Sequence, residues 1–116
     1  MQSELKSIEL ARGFNKMKTI HKYEVPVAKE TTEIKMPLHA VIRNVEFITS
    51  SHAVFIWAEV EAGAEFKEGN EVRAFRTFGT GDGVPEGSIY VGSTVDQYVP
   101  EAYHVYEVTD CEDCRL

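Results

Sequence analysis

The sequence predicts an all-β domain, an antiparallel sandwich or partly open barrel of about seven strands, preceded by a short N-terminal arm that is helical or disordered. Three observations carry this. From Lys18 onward, seven runs alternate apolar and polar residues with period two, and glycine, proline or asparagine separates them. No stretch after Lys18 shows the three- to four-residue apolar spacing of a helix packed on a core. With 116 residues, 43% of them hydrophobic, the chain can bury one core without disulfide staples.

Taken in order, Ser3 caps a short helix reaching Arg12, with Glu4 in its first turn, Leu5 and Ile8 on one face and Gly13 as its stop. Regular alternation begins only at Met17-Lys18-Thr19, so residues 1–16 are an appended arm, 17–109 the β domain and 110–116 an acidic flexible tail. Lys18 to Val25 is the first strand and Pro26 ends it. Thr31 to Met36 sets Thr32, Ile34 and Met36 against Glu33 and Lys35, and Pro37 stops it. Ala40 to Ile48 has Val41, Val45 and Phe47 on one side with Ile42 and Ile48 on the other, which predicts a central strand covered on both faces. Ala53 to Glu61 has the sharpest pattern: Val54, Ile56, Ala58 and Val60 form an apolar face, while Phe55 and Trp57 share theirs with Glu59 and Glu61. A second packed layer over those two aromatics is the expected arrangement, and a covering loop or an interaction surface is the alternative. Ala62 to Asn70 is a loop or wide hairpin turn in an acidic neighbourhood.

Glu71 to Phe78 and Ser88 to Thr94 read as the arms of a hairpin whose tip, Gly79-Thr80-Gly81-Asp82-Gly83-Val84-Pro85, holds three glycines within five residues. Such a turn can aim successive backbone N–H groups at an anion. The last strand, Ala102 to Val108, points His104 and Tyr106 one way and Tyr103 and Val105 the other.

Composition excludes several function classes. Nineteen acidic residues against twelve basic give a net charge of −7, which argues against a phosphate-neutralising surface for DNA or RNA. The sequence has no apolar run of about 20 residues and no basic-then-apolar leader, so a cytoplasmic protein without membrane contact is expected. Cys111 and Cys114 form a single Cys-x-x-Cys, two metal ligands where a structural zinc site needs four, and no chain follows to build a redox helix. They are the only metal candidates, and no metal or other cofactor is expected. His21, His39, His52 and His104 lack metal-ligand spacing. Glu24 and Glu107 are a conceivable carboxylate pair, but no nucleophile–base arrangement emerges and no catalytic residue is assigned.

The ordered series Lys22-Tyr23-Glu24, Met36-Pro37, Ile56-Trp57-Ala58, Phe75-Arg76 with Phe78-Gly79-Thr80-Gly81, Tyr90-Val91-Gly92-Ser93-Thr94 and Tyr103-His104-Val105-Tyr106-Glu107 resembles a family of small bacteriophage and prophage proteins. The likeness runs from about Met17 to Glu107. It implies a phage source, and the cytoplasm of a bacterial host as the place of action. The sequence thus leads to two expectations. The first is a non-enzymatic interaction protein that self-associates or binds a host protein, with Phe55 and Trp57 as contact residues. The alternative is a module that binds an anionic small molecule such as a nucleotide, with Gly79, Thr80, Gly81 and Gly83 as donors, Tyr90 and Tyr106 as walls and His104 as the polar group.

Overall fold

A computed structural model describes residues 17–67 and 69–109, so the expected helix from Ser3 to Arg12 and both cysteines lie outside the described residues. Seven strands are present among the described residues: β1 (Lys18–Val25), β2 (Thr32–Pro37), β3 (Val41–Ile48), β4 (Ala53–Glu61), β5 (Asn70–Gly79), β6 (Ile89–Asp96) and β7 (Glu101–Glu107). One helical turn, α1 (Ala64–Lys67), interrupts the expected loop between β4 and β5. The strands form two antiparallel sheets, β1-β4-β3 and β2-β5-β7-β6, and the fold is all-β as expected. Every boundary lies within two residues of the alternation that predicts it, because period two is set by side chains that must face either a core or water.

The core fills the space between the sheets. Val54, Ile56, Ala58 and Val60 of β4 and Val25 of β1 face Met36 of β2, Phe75 of β5 and Val105 of β7, all buried. Full burial of each larger side chain contributes roughly 1.5–3 kcal/mol.

Two sequence expectations need correction. β3 is an edge strand, not a central one. Its register slips between Ile42 and Asn44, and the extra residue turns Ile42 inward beside Val45 and Phe47 while Val41 stays 45% exposed. The two-sided apolar pattern thus reflects a bulge. Likewise β5 and β6 are not hairpin partners, because β7 lies between them. β6 and β7 are joined by a short turn in which the Asp96 carboxylate accepts from the N–H groups of Tyr98 and Val99 at 3.0 and 3.4 Å. That local closure takes one edge of β7, and β5 takes the other. Alternation reports which way a strand faces, not which strand it pairs with.

Where β3 meets β6 the sheets come unusually close. A Cβ on Gly92 would lie 2.7 Å from Val45 Cγ2, so only glycine fits without displacement. One turn of the ladder on, the Phe47 N–H donates to Thr94 Oγ1 at 2.8 Å and gives this edge strand a partner in the other sheet. A second link joins the sheets at the opposite side. Arg73 donates from Nε and Nη2 to the two Glu107 carboxylate oxygens at 2.8 and 2.9 Å, and from Nη1 to the Ala40 carbonyl at 2.7 Å.

Candidate functional site

The residues singled out by sequence assemble on two outward faces, one on each sheet. On the four-stranded sheet, the register places Arg76, Tyr106 and Tyr90 in one row across β5, β7 and β6, and Phe78, His104 and Ser93 in the next. A bulge between Tyr90 and Gly92 is what brings Tyr90 and Ser93, three residues apart, onto the same face. Thr80 folds back from the following loop.

These groups form a hydrogen-bonded chain. Tyr90 Oη meets Ser93 Oγ at 2.7 Å, Ser93 Oγ meets His104 Nδ1 at 2.7 Å, and His104 Nε2 meets Thr80 Oγ1 at 2.9 Å. Both imidazole nitrogens are therefore engaged and the ring is held in one orientation. Beside the chain, the Tyr106 ring lies edge-on to Phe78 at 5.6 Å and to Tyr90 at 5.4 Å. The Arg76 guanidinium lies 4.8 Å above the centre of the Phe78 ring, which is itself buried. Arg76 has no carboxylate partner among the described residues, and its Nε is buried without a hydrogen-bond partner. An unmet buried donor costs about 1–3 kcal/mol.

The glycine turn behaves differently from its expected role. The Gly79 N–H donates to Asp82 Oδ2 at 2.8 Å, and the Asp82 N–H returns to the Gly79 carbonyl at 3.1 Å. Gly81 takes φ +96° to close this loop. The turn thus carries its own carboxylate at the Gly79 donor, while Gly81 and Gly83 sit at an exposed tip. Thr80, Tyr90, His104 and Tyr106 converge. Sequence reasoning missed Ser93 and Phe78 as members of the site; for Ser93 the reason is that strict alternation places it opposite Tyr90.

The second face is the outside of the three-stranded sheet. Phe55 and Trp57 stand on its central strand with ring centres 6.3 Å apart, and Lys22 Nζ sits 4.9 Å over Phe55. Across the ladder Trp57 is flanked by Lys22 and Asn44, and Phe55 by Glu24 and Glu46. No second layer lies over them among the described residues, because the other sheet packs on the opposite side of β4. Ile20 and Val41, 52% and 45% exposed, extend the apolar patch. Glu59 closes its rim by bonding Arg43 Nε at 2.6 Å, with Lys18 at 3.6 Å. The Arg43 bond is the main reason its carboxyl sits below the usual carboxylate range.

Other groups do not assemble. Glu24 and Glu107 lie in different sheets, and Glu107 is committed to Arg73. No cluster of three or more His, Cys, Asp or Glu side chains among the described residues is placed to hold a metal. No helix among them is long and apolar enough to cross a membrane.

Comparison with known families finds that a domain of unknown function, DUF7352, matches residues 17–113. The chain belongs to the DUF7352 family. No curated protein and no solved structure matches it. The DUF7352 match spans all seven strands and thus both faces described above.

Proposed function

We propose that this DUF7352 domain is a non-enzymatic protein-interaction module that pairs with a second copy of itself through the outer face of β1-β4-β3. The observation that supports this reading most is the Phe55 and Trp57 pair at the centre of that face, half-buried and overlaid by no second layer among the described residues. Large aromatics at the middle of a patch are the usual energetic anchors of an interface. Around them both signs of charge alternate, with Lys18, Lys22 and Arg43 against Glu24, Glu46 and Glu59, so the patch is self-complementary under a two-fold axis.

Its size sets the strength. Three strands about 4.8 Å apart and roughly eight residues long cover on the order of 400 Å², half of the ~800 Å² per partner of a standard interface. Pairing at this face is therefore weak, with a Kd of about 1–100 μM. The resemblance of the ordered motifs to those of small bacteriophage and prophage proteins supports a phage origin and action in the bacterial cytoplasm. In that setting a host protein is the heterologous partner, and the acidic excess of the chain favours a basic one.

Sedimentation velocity of the full chain over a concentration series tests the reading. Wild type should pass from monomer to dimer, and both Trp57→Glu and Phe55→Ser should remain monomeric while keeping the β-sheet circular dichroism spectrum. A wild type that stays monomeric at about 1 mM, far above the expected Kd, or a dimer untouched by either substitution, would overturn it.

A further inference from the structure

We propose that the outer face of the four-stranded sheet is a binding site for a nucleoside monophosphate, with Arg76 as partner of the phosphate and Tyr90 as platform for the base. The argument begins with a contrast along β5. Arg73, three residues before Arg76, has three of its donors filled by Glu107 and Ala40. Arg76 has a buried Nε with no acceptor, although Glu33 projects from the same face one strand away, opposite Ala74. The fold therefore satisfies an arginine where one serves as a structural link, and leaves another charged, oriented and, among the described residues, without an acceptor at Nε.

Its orientation is set before any ligand arrives. The guanidinium is laid on the buried Phe78 ring, so little side-chain freedom remains to be lost on binding. Next to it, in the adjoining row, the Thr80, His104, Ser93 and Tyr90 chain holds hydroxyl and imidazole groups in fixed positions. The Thr80 and Tyr90 hydroxyls, with one partner each, keep capacity for another, and they can meet the remaining phosphate or ribose oxygens.

Dimensions and exposure select the ligand class. Arg76 and Tyr90 lie in one row at opposite sides of β7, about 10 Å apart across two strand spacings, which exceeds the reach of free phosphate and suits a phosphate joined to a base through a sugar. Tyr90 is 56% exposed and held edge-on by Tyr106, so a ring face remains open for stacking. The net charge of −7 disfavours a polyanion and leaves a single nucleotide as the fitting ligand. The site is separate from the Phe55 and Trp57 face, being on the other sheet.

The test is an NMR titration of the full-length ¹⁵N-labelled chain with AMP, GMP, adenosine and inorganic phosphate, run in parallel on Arg76→Met, Tyr90→Ala and Phe66→Ala, the last an 86% exposed residue of α1. At least one nucleotide should shift amides of β5, β6 and β7 and bind about tenfold more tightly than phosphate or nucleoside. Arg76→Met keeps the aliphatic cover on Phe78 and removes the unmet donor, so its ligand-free melting temperature should equal or exceed that of wild type while binding weakens by about tenfold or more. Tyr90→Ala should weaken nucleotide binding comparably, and Phe66→Ala should leave it unchanged. Absence of shifts at about 5 mM nucleotide, far above a useful affinity, would overturn the proposal. So would equal binding of inorganic phosphate and nucleotide, or full retention of binding in Arg76→Met.

Discussion

Replacing Arg73 by methionine should be among the most damaging single changes outside the hydrophobic core. The side chain lies only 18% exposed and its partner Glu107 19%, so water reaches the pair poorly. The change deletes two charge-assisted bonds from β5 to β7 and one to Ala40, just ahead of β3 in the other sheet. Burial works against the charged arginine, yet the bonds to Glu107 outweigh it and hold the guanidinium pKa above its ordinary value. Each hydrogen bond to a charged group contributes about 1.5–3 kcal/mol, and partial hydration of the freed Glu107 returns some of the loss. The net cost should be about 2–4 kcal/mol. In a domain of this size that lowers the melting temperature by roughly 10–25 °C. Urea denaturation followed by circular dichroism measures it directly, and a double-mutant cycle with Glu107→Gln isolates the pair. We expect a coupling energy of about 1–2 kcal/mol. A loss below about 0.5 kcal/mol, the size of an ordinary surface substitution, would refute the claim that Arg73 fastens β5 to β7 and to the segment ahead of β3.

Two further outcomes follow from the same packing. Gly92→Ala should cost about 1–3 kcal/mol, because its Cβ would press on Val45 Cγ2 at 2.7 Å, and Val45→Ala in the same chain should recover part of that loss. Denaturation of the single and double variants decides it, with simple additivity as the contrary result. The Tyr103 hydroxyl has its pKa raised, first by burial and then by the Glu101 and Asp96 carboxylates. The folded form therefore holds this proton more tightly than the unfolded one, so its contribution is intact below pH 10, the unperturbed value, and is lost as pH rises through the folded value. Tyr103→Phe should flatten the alkaline fall in denaturation midpoint between about pH 9 and 11; an unchanged fall would show that other groups cause it.

Much of the architecture was readable because one rule governs it. β4 buries Val54, Ile56, Ala58 and Val60 against a single core, so its alternation is unbroken and its outward residues, Phe55 and Trp57, follow at once. β3 was misread where that rule breaks, at the bulge beside Arg43. The partner of β5 was misassigned because pairing depends on loop closure and sheet-to-sheet fit, which no local pattern encodes. The His104 site was half legible. Tyr106 and His104 follow from plain alternation in β7, but Ser93 joins them only through the β6 bulge, and the unmet Nε of Arg76 is a property of three-dimensional neighbours. At the glycine turn no local pattern signalled that Asp82 would supply, from within the loop, an acceptor for the Gly79 N–H.

Trp57 is the single tryptophan of the chain, so its fluorescence watches the proposed interface without a label. As protein concentration rises from about 1 μM to 1 mM, spanning the expected Kd, self-association predicts a blue shift of its emission and falling access to acrylamide. An emission maximum and a quenching constant that stay the same over that range would contradict it.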